Sequence, residues 1–391
     1  MACYSIGKIS CSLSNSNKVV EMAEIKFPDE LISVSVLTGF LGSGKTTLLA
    51  SLLKKPELSD TAVVINEFGE IGLDHYLLEN TEENVVKLDS GCLCCTIRGD
   101  LLETMRKLYI EREKGIIPRF KRVVIETTGL ADPAPIIHTL LNDPTLIDCF
   151  KLDGILTVVD GVNGSATLDN YTEAIKQVAV ADRLLLTKVD VADSIEPLRD
   201  RLKNLNPAAA IIEVTNGEAD PKHLLNSGLY NPETKTADVG AWLQEEAYLD
   251  QEAISELGEN HEHGQGDKEH DGHHHDVNRH DDNIEAYCIA RDEPVSVLAI
   301  TSLMQILFGH RGEDLLRVKG ILNVVEHPGR PAVIHAVQHL MHPVAWLKEW
   351  PDEDRRTRIV FITRNISRDW IEALIDGLNK EAEEIKAEVE Q

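Results

Sequence analysis

The sequence predicts a three-layer α/β domain built on a mostly parallel sheet, followed by a smaller C-terminal α/β domain. Three observations predict it. From Leu31 to about Val214 short β-rich runs alternate with helical patterns, the alternation that puts helices on both faces of a parallel sheet. Between about Tyr230 and Asn283 the apolar rhythm gives way to acidic residues and histidines. From Ile284 onward strand-like segments return. The chain of 391 residues exceeds the usual single domain of about 100–200 residues, which favours two domains and a linker. The expected boundaries are a disordered extension at 1–30, a first domain at 31–230, an acidic His-rich linker at 231–283 and a second domain at 284–391.

In the first domain, strands are expected at Ile32–Leu37, Ala62–Asn66, Val85–Leu88, Arg122–Glu126, Gly154–Val159, Arg183–Thr187 and Ala210–Val214. Helices should follow Lys45, Asp100, Pro133, Asn170 and Ser194. Pro133 suits a first turn, where its missing N–H would be unpaired anyway. In the second domain the expected strands are Ala286–Ala290, Val297–Ile300, Asn323–Glu326, Ala332–Val337 and Arg358–Thr363, with helices at Thr301–Gly309 and Ser367–Asn379.

Composition excludes several classes. The chain is 42% hydrophobic and 27% charged, as in a globular protein. A net charge of −27 opposes affinity for the nucleic-acid backbone, which needs a basic face to displace counterions. No apolar run reaches the roughly 18–20 residues that span a bilayer, so no membrane partner is expected. Seven cysteines, three of them crowded into Cys92-Leu93-Cys94-Cys95, do not suit a disulfide framework and imply a reducing, cytoplasmic setting. Residues 1–25 leave organelle import as the alternative, and a start at Met22 is the simpler reading of that segment.

The segment SVSVLTGFLGSGKTTLL reads as strand, then G-x-x-x-x-G-K-[ST], then helix. Gly39, Gly42 and Gly44, with Ser43 between the last two, let successive backbone N–H groups face phosphates at a helix N-terminus. Lys45 is placed to neutralise the β/γ-phosphates, Thr46 to ligate Mg²⁺ and Thr47 to meet the α-phosphate. A nucleoside triphosphate is therefore expected.

After a hydrophobic strand, Glu126-Thr127-Thr128-Gly129 offers a carboxylate to assist Mg²⁺ through water and a glycine N–H to sense the γ-phosphate; Lys45, Thr46 and Glu126 are the candidate catalytic set. A later strand runs into Thr187-Lys188-Val189-Asp190, close to the N-K-x-D element of GTPases. The Lys188 stem would cover the base, and the Asp190 carboxylate would accept from guanine N1–H and the 2-amino group, a pair of donors that adenine lacks. GTP is the expected nucleotide and a three-layer P-loop GTPase domain the expected fold. Thr187 stands where the loop-buttressing Asn is usual.

Three thiols at Cys92, Cys94 and Cys95 on a Gly-flanked turn can converge on one borderline cation, Zn²⁺ being favoured by sulfur ligation and tetrahedral geometry. Water, a nucleotide-linked group, Glu67 or His75 are alternative fourth ligands. Glu67 and Asp74, in the loop Asn66–Asp74, either approach the metals or are solvated acids. Seven of the fifteen histidines lie between His261 and His280, including His273, His274 and His275; interleaved with carboxylates, they suit metal capture without fixed geometry. His138, His310 and His342 read as structural.

Taken together, GFLGSGKTTLL, NEFGEIGLD, SGCLCCTIRGDL, VVIETTGLADP and LLLTKVD resemble, in order, the motifs of the CobW-type metallochaperone GTPases, near the zinc-regulated GTPase metalloprotein activators. The likeness extends to LRVKGIL at Leu316–Leu322 and HAVQHL at His335–Leu340. It implies a slow GTPase that binds Zn²⁺ through the CxCC turn and hands it to a client metalloprotein under nucleotide control. A nucleotide-dependent homodimer is a further implication. Co²⁺ delivery to cobalamin synthesis or a nitrile hydratase is one alternative; a His-rich zinc store is another. A phosphate-loop kinase is disfavoured by TKVD and the thiols.

Overall fold

The computed structural model describes residues 30–66, 97–224 and 284–389. The first domain opens with β1 (Ile32–Gly39), α1 (Lys45–Leu52), β2 (Thr61–Asn66), α2 (Ile97–Glu113), β3 (Arg122–Thr127) and α3 (Ala134–Asn142). It continues through α4 (Pro144–Ile147), β4 (Phe150–Asp160), α5 (Gly164–Asn170), α6 (Thr172–Ala179), β5 (Arg183–Thr187), α7 (Glu196–Leu205), β6 (Ala210–Val214) and α8 (Pro221–Leu224). The second domain comprises β7 (Ile284–Arg291), α9 (Val297–Arg311), β8 (Leu315–Leu322), β9 (Ala332–Val337), β10 (Leu340–Met341), β11 (Ala345–Trp346), β12 (Thr357–Arg364) and α10 (Arg368–Val389).

The first sheet is parallel throughout, in the order β2-β3-β1-β4-β5-β6. Its strands read as unbroken hydrophobic runs because both faces are covered. On one face Met105, Leu108 and Tyr109 of α2 and Ile136, Ile137 and Leu140 of α3 pack on Val34, Val36, Val123 and Ile125. On the other, Leu48, Leu49 and Leu52 of α1 meet Leu37, Val63, Val124, Val158 and Leu185. These are the three expected layers. The carboxyl ends of β1, β3, β4 and β5 gather at one edge, where open α/β sheets bind ligands.

The second sheet is antiparallel, in the order β10-β9-β8-β12-β7, with β11 paired to β9. Ile300, Leu303 and Leu307 of α9 and Ile371 and Ile375 of α10 cover one face, against Val318, Ile334 and Phe361. The opposite face carries Cys288, Leu316, Ile321, Val333 and Val360, and these pack on Ala179 and Ala208 of the first domain. Val337 and Leu340 join the first domain's own core. Polar contacts seal the junction. Arg317 donates to the Val180 carbonyl and to Asp182 Oδ1, which also lies 3.4 Å from the Lys319 ammonium, while Asp182 Oδ2 accepts from Ile155 N at 2.9 Å.

Two expected strands of the second domain are corrected. Val297–Ile300 opens α9, because Ser296 Oγ accepts from Ala299 N at 2.9 Å and caps the helix. Asn323–Glu326 lies past the end of β8 at Leu322; there Val324 forms an isolated bridge with Val295, and Glu326 Oε2 accepts from Val297 N at 3.0 Å. The helix expected after Asp100 begins earlier, at Ile97. The expected strand Val85–Leu88, the loop from Glu67 to Asp74, Cys92, Cys94, Cys95 and the histidine tract with His273, His274 and His275 lie outside the described residues.

Candidate functional site

The phosphate loop leaves β1 at Gly39 and enters α1 at Lys45. Its turn requires glycine at Gly39, where φ is +139° and a Cβ would stand 2.3 Å from the Val158 carbonyl oxygen on the neighbouring strand. Gly42 and Gly44 also have positive φ, at 73° and 95°. Ser43 is buried, and Thr47 is exposed on the first turn of α1. The Lys45 ammonium, buried at the loop mouth, donates to the carbonyls of Gly39 at 3.0 Å and Phe40 at 3.2 Å.

Parallel pairing sets Glu126 on β3 beside Leu37 on β1, which brings its carboxylate under the start of α1. There the Thr46 hydroxyl donates to Glu126 Oε1 at 2.6 Å. These two oxygens, a hydroxyl and a nearly buried carboxylate, are the hard donors that suit Mg²⁺. The adjacent Thr127 hydroxyl donates to Thr38 Oγ1 at 2.8 Å, tying the ends of β3 and β1 together.

Gly129 approaches the loop from the other side. A Cβ on it would lie 2.7 Å from both the backbone N and Cδ2 of Leu41, so only glycine lets the segment after β3 touch the phosphate loop. Asp132 ends this segment. Its Oδ1 accepts from Ala134 N at 2.9 Å, and its Oδ2 accepts from Gln338 Nε2 of the second domain at 2.8 Å.

The T-K-x-D turn follows β5. The Thr187 hydroxyl donates to the Ser43 carbonyl at 2.7 Å, with the Val159 carbonyl 3.2 Å away, and so does the buttressing expected of an Asn amide. Lys188 adopts a left-handed φ of 55°. Its ammonium bridges the Gly42 carbonyl at 2.8 Å and Asp160 Oδ2 at 2.7 Å, which stretches the stem along the cleft. Asp190 stands exposed in the turn closed by Val191 N on Lys188 O at 3.3 Å. The structure thus brings Gly39, Gly42, Ser43, Gly44, Lys45, Thr46, Thr47, Glu126, Gly129, Lys188 and Asp190 to one edge of one sheet.

The profile described as the CobW/HypB/UreG nucleotide-binding domain matches residues 33–213, and that of the cobalamin synthesis protein CobW C-terminal domain matches residues 284–379. The zinc chaperone YjiA of Escherichia coli K12 is 34% identical over 349 residues, covering 89% of this chain and 99% of that protein. The chain belongs to the CobW family.

The crystal structure of Zn(II)-bound YjiA GTPase from E. coli shares this CobW-family fold with a TM-score of 0.63 at 30% identity, covering 89% of this chain and 99% of that one. The zinc-regulated GTPase metalloprotein activator 1 of Schizosaccharomyces pombe is 38% identical over 198 residues, 48% of this chain and 47% of its own length.

One residue of this CobW-family site is absent from the sequence reading. Asp160, at the end of β4, binds Lys188 and accepts from Val162 N at 2.8 Å, Asn163 N at 3.1 Å and Asn163 Nδ2 at 3.1 Å. Burial works against its charge, but the hydrogen bonds from Lys188, Asn163 and Val162 outweigh burial and hold the carboxyl below the usual carboxylate range. The sequence shows only that Asp160 ends a hydrophobic strand; its partner Lys188 lies 28 positions on.

Proposed function

We propose that this CobW-family chain is a GTP-hydrolysing zinc chaperone, carrying Zn²⁺ on Cys92, Cys94 and Cys95 and passing it to a client metalloprotein under control of the bound nucleotide. The observation that carries the GTPase part is the Thr46–Glu126 contact of 2.6 Å beneath a glycine loop and helix N-terminus. Family membership and relatives named zinc chaperones or zinc-regulated activators support the cargo. Gly39, Gly42, Ser43, Gly44, Lys45 and Thr47 receive the phosphates through backbone N–H groups, an ammonium and a hydroxyl. Lys188, its ammonium anchored on Asp160 and Gly42, lays its stem along the base, and Asp190 accepts from the guanine edge. Thr46 and, through water, Glu126 would hold Mg²⁺, which would supply charge neutralisation at the transferred phosphate. Gly129 reads the γ-phosphate, and Glu67 is proposed as a further acid for the metals.

Zinc coupling has a direct test. Titration of GTP with and without Zn²⁺ should give different affinities, and by reciprocity Zn²⁺ affinity should change by the same factor when GTP is bound. Identical GTP affinities and hydrolysis rates, or coupling that survives replacement of all three cysteines by serine, would sink this reading. Cobalt is the second cargo to weigh, because the matching C-terminal domain is named for cobalamin synthesis. Competition of Co²⁺ and Zn²⁺ for the thiolates with Mg²⁺·GTP bound, followed by thiolate charge-transfer absorption, separates the two. A nucleotide-dependent homodimer is the partner arrangement proposed for the GTP state, and the histidines around His273–His275 are proposed as a collecting tract for the metal.

A further inference from the structure

Gln177, on α6, is only 1% exposed although its side chain is polar. Its amide nitrogen donates to two carbonyls of the segment after β3, Ala131 O at 3.0 Å and Gly129 O at 3.3 Å. The two accepting carbonyls flank Leu130, so a single rigid amide fixes the path of the chain on both sides of that residue. Gly129 is therefore held between two surfaces. One is the Leu41 backbone, too close to admit a Cβ, and the other is the Gln177 amide.

The amide has a firm base. The Gln177 backbone carbonyl accepts from Thr157 Oγ1 at 2.7 Å, which ties α6 to β4. The neighbouring Lys176 ammonium lies 3.6 Å from Asp132 Oδ2, at the far end of the same segment. The end of α6 is gripped in turn by Asn206, whose amide reaches the carbonyls of Val178 at 2.9 Å, Ala179 at 3.1 Å and Ala181 at 2.9 Å, and by Arg317 on Val180. Gln177 Oε1 has no hydrogen-bond partner among the described residues, and the residue lines a small cavity that Phe40 and Ser43 of the phosphate loop also line. The side chain thus holds the segment after β3 and shares a cavity with the phosphate loop.

We propose that Gln177 is a positioning residue for GTP hydrolysis, holding the Gly129 peptide at the height over the phosphate loop that a γ-phosphate requires. The inference rests on the reading of Gly129 as the γ-phosphate sensor. Its signature is selectivity: GDP carries no γ-phosphate, so losing the clamp weakens triphosphate binding and turnover while leaving GDP binding in place.

The full chain carries the test, with GDP and a slowly hydrolysed GTP analogue as probes. Gln177→Glu keeps the shape and turns the donor into an acceptor that repels both carbonyls. It should lower analogue affinity and kcat by about tenfold or more, the scale of two lost hydrogen bonds, with GDP affinity within about twofold of the parent. A neutral carboxylic acid donates once, so kcat of this variant relative to the parent should recover as pH falls from about 8 to about 6, a response a purely structural lesion would not show. Gln177→Met, close in volume and unable to donate, should give the same selective loss with no pH recovery, and it stands in if the Glu variant does not fold. Equal loss of GDP and analogue, or no loss of either, overturns the proposal. Gly129→Ala, checked for folding by GDP binding, is the control for the underlying reading. If it leaves analogue affinity unchanged, the sensor assignment fails and Gln177's role with it; if it loses the analogue while both Gln177 variants keep it, the Gln177 proposal alone fails.

Discussion

A single hydroxyl replaces a familiar amide in this site. Thr187 donates to Ser43 O inside the sheet edge, a buried position where a lost donor leaves a carbonyl unpaired and costs about 1–3 kcal/mol. Thr187→Val should therefore weaken GDP and GTP alike, by about tenfold, because the hydroxyl braces the loop and not a phosphate. Thr187→Ser should retain parental affinity. Fluorescence titration of both nucleotides checks this, and a loss confined to GTP would show that the bracing argument is wrong. Residues whose chemistry is local were legible in the sequence: the loop glycines, Lys45, Thr46, Glu126, Lys188 and Asp190 all occur in ordered motifs. Asp160 and Gln177 were not. Their partners, Lys188 in one case and Gly129 and Ala131 in the other, lie 28, 48 and 46 positions away, and only the folded sheet brings them together.

At the level of elements, the parallel sheet was readable because a strand buried on both faces is an uninterrupted hydrophobic run. The second domain misled for two physical reasons. Val-Leu-Ala-Ile at 297–300 has strand composition, yet Ser296 supplies a cap and the following buried residues Ala299, Ile300, Leu303, Met304 and Leu307 recur at helical spacing. Strand β8 escaped notice as a strand because Arg317 and Lys319 interrupt it, and a buried charge is tolerated only with a partner that the local sequence does not show. That partner is Asp182, on the other domain. Ser296→Ala tests the cap: it should lower stability by about 1 kcal/mol, read as a shifted denaturant midpoint with unchanged slope. An unchanged midpoint would mean that Glu326, which also accepts at this helix start, satisfies the terminus alone.

For the whole molecule, the junction between the sheets sets the response to acid. His335 and His342 stack at 4.4 Å between centroids, both nearly buried and close to Arg317. Burial first, and then the neighbouring cations, push His335 well below the usual imidazole range; burial likewise lowers His342 to about 4, against a partial offset from Asp182. Both rings therefore stay neutral in the fold, whereas an unfolded chain protonates them near pH 6.5. The unfolded state then binds more protons, so stability is complete above about pH 6.5 and falls as pH drops towards about 5, by up to about 1.4 kcal/mol per pH unit for each ring. Melting curves across that window should show the slope, and His342→Gln should roughly halve it. A variant with the parental slope would place the acid response elsewhere.

Among the described residues, the antiparallel sheet packs on both faces: helices α9 and α10 lie against one, and Ala179 and Ala208 of the first domain against the apolar residues of the other. The halves are joined by adhesion as well as by the chain, so a cut anywhere between Leu224 and Ile284 should leave two fragments that travel together through a sizing column. The shared apolar face and the buried Arg317–Asp182 pair then carry the cohesion of the two halves, so loosening that pair should part the fragments where the intact chain would stay whole.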